Sequence, residues 1–395
     1  MEYSQYNIYL NDYPDKGHTT IYNLFSKKTE CYLSDMITGH PDGSVIPSLK
    51  RNKFYIESRA EEINAVEEKY ENNSTNMKQL FLMLVLTGKC NCKCTYCYEK
   101  DKERFPSVFY AKDKVIKFVD DYFRTYDVED FRLTFYGGEP LLQKDIIDQL
   151  TEHFHKSYGK VFRFGIITNG TLLKSEDIAI WEKRGLGILK ISIDGDKKSH
   201  DNRRVYLNGK GTYDDILDNI SEISSGVEIR INSVIDNEVS GFEELICEIR
   251  KRNIPATFSI NLAEPCDLPI QEKADMLVRY ASILKKYNCF QYTKMCGTHG
   301  EICQAKLQND FVIDGNGKIY ECNGEFKVAG DLSSDFSAIQ KKKYKYKSEC
   351  RQCKFLPMCY GDCPYYDSCQ KDYFEYLLPR ILKVYITKKK SDKVS

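Results

Sequence analysis

The sequence has no excess of either charge, no membrane-length apolar run and no signal segment. Its 58 Lys and Arg are cancelled by 58 Asp and Glu, so no strong field points to nucleic acid or to a membrane surface. No stretch approaches the roughly 20 apolar residues that cross a bilayer. The N-terminus, MEYSQYNIYLNDYPDKGHTT, lacks a basic region followed by an apolar one, so a cytoplasmic location is expected. The basic run KKKYKYK at 341–347 reads as a solvated face. With 395 residues and 42% apolar content the chain is globular and too long for one ordinary core, which implies two or three domains.

What is abundant is cysteine: 16 residues, of which eleven fall into three spaced groups. Cys90, Cys94 and Cys97 lie in KCNCKCTYCYE. Cys296, Cys303 and Cys322 form a looser second group, and Cys350, Cys353, Cys359, Cys363 and Cys369 crowd into CRQCKFLPMCYGDCPYYDSC. In a cytoplasmic protein such clusters read as metal ligands before they read as disulfides. Three thiolates in one loop can hold three corners of a [4Fe–4S] cluster and leave its fourth iron open to chelate an amino and a carboxylate group. The other eight are the number that closes two further clusters. Structural zinc is the competing reading for the triad and for the CxxC spacing. Cys92, inside the triad, reads as a bystander, and the scattered Cys31, Cys247, Cys266 and Cys289 read as buried thiols.

Before Gln79 the alternating segments YNIYL and TTIYNLF suggest a hairpin, and the charged stretch ESRAEEINAVEEKYEN a helix, together a small N-terminal module over 1–79. From Leu80 six strand-like runs recur: FLMLVLT, FRLTFYG, FRFGIITNG, ILKISIDG, VEIRINSVI and TFSINLA. Helical stretches such as KVIKFVDDYFRTY and FEELICEIRKR separate them. This alternation indicates an α/β fold, with βα units around a parallel sheet that fit a partial (β/α)6 barrel over 80–290. Barrels place their chemistry at the C-terminal ends of strands, and the first cysteine group directly follows FLMLVLT. From about Gln291 the rhythm stops. Residues 291–375 suit a domain folded around metal, and 376–395 a C-terminal tail that frays after Pro379.

These features resemble the radical SAM superfamily. The cysteine loop matches in its spacing and in the aromatic Tyr96 before the last cysteine. YGGEP at 136–140 looks like the motif whose backbone meets the methionyl amino group of S-adenosylmethionine (SAM), which involves Gly137, Gly138 and Glu139. The resemblance further implies SAM contacts at Asn169 (ITNGT), at Ser192 and Asp194 (SIDG), at Asn232 (IRINSV) and at Arg204 in HDNRR, with Arg203 a close competitor. The C-terminal cysteines resemble the SPASM domain of radical SAM peptide maturases. That resemblance implies one auxiliary cluster on Cys296, Cys303, Cys322 and Cys363 and a second on Cys350, Cys353, Cys359 and Cys369, hence three [4Fe–4S] clusters per chain.

The activity so implied is a radical oxidation of a peptide. An electron from the open cluster cleaves SAM to methionine and a 5′-deoxyadenosyl radical, which takes a hydrogen from the substrate. An auxiliary cluster could accept the electron left after bond formation. An electron donor such as flavodoxin or ferredoxin is implied as a partner. In one reading the substrate is a ribosomally made precursor peptide that gains a thioether or carbon–carbon crosslink. In the other it is a sulfatase residue oxidised to formylglycine. Sulfatase-maturing relatives carry an aspartate base directly after the second SPASM cysteine, where this chain has Asn323, and an amide cannot accept a proton as a carboxylate can. Glu321 or Glu325 could substitute. The N-terminal module could bind a leader as an added strand or could only pack. A plain electron carrier or iron sensor would need no SAM motifs.

Overall fold

The computed structural model describes residues 1–97, 105–224, 226–236, 239–263, 268–291, 302–334, 336, 339, 341–366 and 369–386. Cys266 and Cys296 lie outside them. Two compact units divide the chain, and neither is continuous: one comprises Met1–Ser74, Leu268–Cys303 and Tyr344–Ser395, the other Thr75–Asp267 and Gln304–Lys343.

In the first unit β1 (Glu2–Tyr3) pairs with β5 (Tyr55–Ile56), while β2 (Asn7–Asn11), β3 (His18–Asn23) and β4 (Thr29–Leu33) form an antiparallel meander. The expected hairpin therefore has a third strand. The helix Arg59–Ser74 buries Ile63, Val66 and Tyr70 on one face. The Tyr70 ring packs on Tyr346 and Tyr360 at 5.6 and 5.4 Å, and its hydroxyl donates to the Tyr344 carbonyl at 2.6 Å. The helices Ile270–Lys286 and Lys371–Ile386 lie together, with Tyr376 donating to Asp275 at 3.2 Å. Tyr13 donates to the Lys383 carbonyl at 3.0 Å. The N-terminal residues thus share one body with the C-terminal cysteine loop. The tail expected to fray after Pro379 is helical to Ile386, because Leu377, Leu378, Ile381 and Leu382 form a buried stripe.

The second unit carries the expected βα rhythm. Strands β6 (Gln79–Val85), β7 (Asp130–Tyr136), β8 (Phe162–Thr168), β9 (Leu186–Ser192), β10 (Glu228–Ile235) and β11 (Ala256–Leu262) are parallel neighbours in chain order. Amphipathic helices connect them. In Lys112–Thr125 the buried Val115, Phe118, Val119 and Tyr122 recur at helical spacing, and each such burial contributes about 1.5–3 kcal/mol. The sheet stays open. It extends beyond β6 by β12 (Asp310–Asp314), which pairs parallel with β6, and then by β13 (Lys318–Tyr320) and β14 (Val328–Asp331), antiparallel. These three strands fall in the stretch read from the sequence as folded around metal. The DGNG turn joins the first two: Asp314 Oδ1 accepts from the Asn316 and Lys318 amides at 2.9 and 3.0 Å.

Three sequence expectations need correction. Lys341 is not on a solvated face. It is 5% exposed, and its ammonium donates to the carbonyls of Gln304, Asp310 and Glu321 at 2.6–3.0 Å. Cys31 and Cys247 are exposed rather than buried, one on the outward parity of β4 and one on the helix Phe242–Lys251 away from its apolar stripe.

Candidate active site

At the C-terminal ends of the parallel strands a cavity of about 520 Å³ opens. The cysteine loop after β6 forms one wall and is clamped from two sides. On one side, Gly138 and Glu139 donate their amides to the carbonyls of Thr87 and Lys89 at 2.8 and 2.9 Å. On the other, the amides of Lys93 and Thr95 bond the Val205 and Arg203 carbonyls at 2.8 and 2.9 Å, and Cys92 bridges Tyr206. Only glycine fits the first contact. A Cβ on Gly138 would lie 2.2 Å from the Lys89 oxygen, and one on Gly137, at φ +137°, 2.5 Å from the Thr87 oxygen.

Cys90, Cys94, Cys97, Tyr96, Gly137, Gly138, Asn169, Ser192, Arg204 and Asn232 all line this cavity. Glu139 and Asp194 stand behind the wall, fully buried. Glu139 ties the ends of β7 and β8 together, accepting from the Leu141 amide (3.0 Å), the Thr168 hydroxyl (2.8 Å) and the Asn169 amide (2.8 Å). Burial pushes its carboxyl up to about 7 against the pull of those bonds. The Asn169 side chain donates to Asn91 Oδ1 at 2.8 Å and to Cys92 Sγ at 3.4 Å, which anchors the cysteine loop to the end of β8.

Asp194 is the electrostatic hub. It accepts from Arg204 Nε at 2.9 Å, from the Val234 amide at 2.9 Å and from the Tyr96 hydroxyl. Burial alone would raise its pKa, but the Arg204 charge and these donors hold it below the usual carboxylate range. Arg204 approaches Cys94 Sγ at 3.9 Å and stacks over Tyr96 at 5.0 Å. Arg203 also faces this hub, with Nε 3.7 Å from Asp194 and its guanidinium 4.3 Å over the Tyr96 ring, but its hydrogen bond goes to Asp236 at 2.5 Å. His200 is buried and neutral. Its Nδ1 accepts from the Asp194 amide at 3.2 Å, which leaves Nε2–H to face Thr212 Oγ1 at 2.9 Å, and burial pulls its pKa down to about 4.

The donor set fits a cluster: three thiols share one cavity wall with polar strand-end groups opposite. Among the described residues no three His, Cys, Asp or Glu converge to hold a single ion. A [4Fe–4S] core bonds each thiolate to a different iron, so its ligands surround a cube instead of meeting at a point. In the first unit Cys350, Cys353 and Cys359 lie on consecutive tight turns, with Cys353 N to Cys350 O at 3.0 Å and Cys359 N to Phe355 O at 3.1 Å. Burial pushes the Cys359 thiol up to about 11, with Cys353 adding to it, and burial also raises Cys350, with Cys353 and Cys369 adding. Thiols that discourage one another's ionisation are suited to a cationic centre. Cys303 and Cys363 belong to this unit and Cys322 to the other.

The sequence reading missed Lys190, Asn261 and Lys93 on the cavity lining, although Lys190 shares the inward parity of Ser192 on β9. Asn323 also lines the cavity, whereas neither Glu321 nor Glu325 does.

Residues 84–250 match the model of the Radical SAM superfamily. A cysteine-type anaerobic sulfatase-maturating enzyme of Clostridium novyi (strain NT) is 25% identical over 339 residues, 73% of this chain and 88% of that one. A serine-type counterpart of Bacteroides thetaiotaomicron is 23% identical over 344 residues, covering 73% and 83%. Among solved structures, native anSMEcpe with bound AdoMet and Cp18Cys peptide aligns at a TM-score of 0.56 and 19% identity over 78% of this chain and 98% of that one. Streptococcus suis SuiB bound to precursor peptide SuiA aligns at 0.50 and 16% identity over 92% and 95%. These structures share the fold: a radical SAM core on an open parallel sheet. Among the described residues no helix is long and apolar enough to cross a membrane.

Proposed function

Residues 84–250 make this chain a radical SAM protein, and on that premise we propose that it is a peptide maturase. It takes a hydrogen from a ribosomally made precursor peptide and leaves a thioether or carbon–carbon crosslink. Cys90, Cys94 and Cys97 would hold the [4Fe–4S] cluster. The strand-end groups Gly137, Gly138, Asn169, Ser192, Arg204 and Asn232 would orient SAM, with Glu139 and Asp194 holding those groups in place from behind. When bound, the cluster and SAM supply a 5′-deoxyadenosyl radical; the protein's share is orientation and exclusion of water. Two auxiliary clusters would use the other eight of the eleven grouped cysteines, with a flavodoxin- or ferredoxin-type donor feeding electrons. The first unit would take the leader of the peptide.

The observation that carries this reading is Asn323 on the cavity wall, with no Asp or Glu among the described lining residues. Formylglycine formation needs a base at the substrate, and an amide does not serve. The sulfatase-maturing alternative is favoured by the two relatives named above, which carry that activity in their names. Mass spectrometry separates the two. Reconstituted protein with SAM and reductant should leave a sulfatase-derived Cys or Ser peptide unconverted to formylglycine, and should remove two hydrogens from its precursor peptide without fragmenting it. Efficient formylglycine formation would overturn the choice.

A further inference from the structure

Side chains alternate along β9, so Lys190 points to the same face as Ser192, one rung deeper in the cavity. In register it neighbours Ile167 on β8 and Arg230 on β10. The two arginines nearby carry counter-charges: Arg230 pairs with Glu228 at 2.9 Å and Arg204 with Asp194 at 2.9 Å. The Lys190 ammonium makes no hydrogen bond or ion pair with any described residue, and no described residue lining the cavity is acidic. A half-buried ammonium beside a second cation is unfavourable. Burial, and then Arg230, push its pKa down. An incoming anion reverses both effects. A second donor stands one rung above. Asn232 Oδ1 already accepts from Ser259 at 2.9 Å and from Asn261, which leaves its NH2 for a ligand.

We propose that Lys190, with the Asn232 amide, is the docking point for a carboxylate that enters this cavity. The carboxylate is an Asp or Glu side chain, or the C-terminus, of the peptide substrate; the methionyl carboxylate of SAM is the other source of the same chemistry. The choice of a peptide source rests on the maturase reading, whereas the docking point does not. Two groups, an ammonium and an amide, match the two oxygens of a carboxylate.

The test uses the full chain, reconstituted anaerobically, and a short pulse of an amine-acetylating reagent. Labelling of Lys190 is read by mass spectrometry against the exposed Lys89. In SAM-loaded protein N-acetylaspartate should lower Lys190 labelling about tenfold, as a charge-assisted bond would, while N-acetylasparagine leaves it within about twofold. Lys190→Met should then bind SAM within about twofold of the native chain. If instead SAM alone protects and Lys190→Met weakens SAM binding about tenfold, the carboxylate is that of SAM. If neither anion changes the labelling, or Lys190 resists the reagent in the empty cavity, the docking point is refuted. Labelling needs no turnover, so a chain that crosslinks a peptide while Lys190 stays unprotected loses this inference alone.

Discussion

Gly138→Ala tests the clamp on the cysteine loop. The new methyl would sit 2.2 Å from the Lys89 oxygen and 2.6 Å from the Lys89 carbonyl carbon, both backbone atoms. Ordinary van der Waals contact begins near 3.4 Å, so the loop must retreat by about 1.2 Å. That shift breaks the amide bonds from Gly138 to Thr87 and from Glu139 to Lys89. Each such bond contributes about 0.5–1.5 kcal/mol, so a loss of about 1–3 kcal/mol of stability is expected. It also displaces Cys90, next in sequence to Lys89. A misplacement of about 1 Å at a reacting centre can lower a rate about 100-fold. The assay is 5′-deoxyadenosine formed per minute under reductant without peptide, beside a urea unfolding midpoint. Gly43→Ala, with nothing within 4 Å of its Cβ, is the control and should match the native chain in both. A Gly138→Ala protein whose 5′-deoxyadenosine rate stays within about threefold of native would refute the clamp.

Replacing Cys90, Cys94 and Cys97 together by Ala should abolish 5′-deoxyadenosine formation while iron analysis still finds metal on the other cysteines; unchanged SAM cleavage would contradict the assignment. His200, with a pKa near 4 against a usual 6.5, adds nothing above about pH 6.5. As the pH falls toward 4 the unfolded chain takes up a proton that the folded chain refuses, so stability is lost by up to about 3 kcal/mol. The stability advantage of the native chain over His200→Gln should therefore shrink between pH 6.5 and 4 in urea titrations, and a constant difference would mean that the imidazole is not buried neutral.

The six core strands and the helices between them were legible because each carries its own periodic signal over seven or more residues. What was not legible depends on pairing across long sequence distances. Strand β12 joins β6 through the register Asp310↔Phe81 to Asp314↔Val85. Nothing local in FVID announces that partner, and three short strands near cysteines read as easily as a metal-bound loop. The burial of Lys341 is hidden for the same reason, since its three carbonyl acceptors come from residues brought together only by that pairing.

The site was legible as a set of residues but not as a division of labour. Motif spacing brought Glu139 and Asp194 into one set with Ser192 and Asn232. The structure separates them by depth, because a carboxylate with three donors is stable when buried whereas a lining group must keep a donor or acceptor free. Asp194 holds Arg204 and Tyr96 in one orientation, and Glu139 holds the ends of β7 and β8 together. Substitution at either carboxylate should therefore act through the cysteine loop and the arginine. Lys190 is the opposite case. No motif contains it, yet strand parity alone aims it into the cavity, and its missing counter-charge becomes visible only once Arg204 and Arg230 have been matched to their acids.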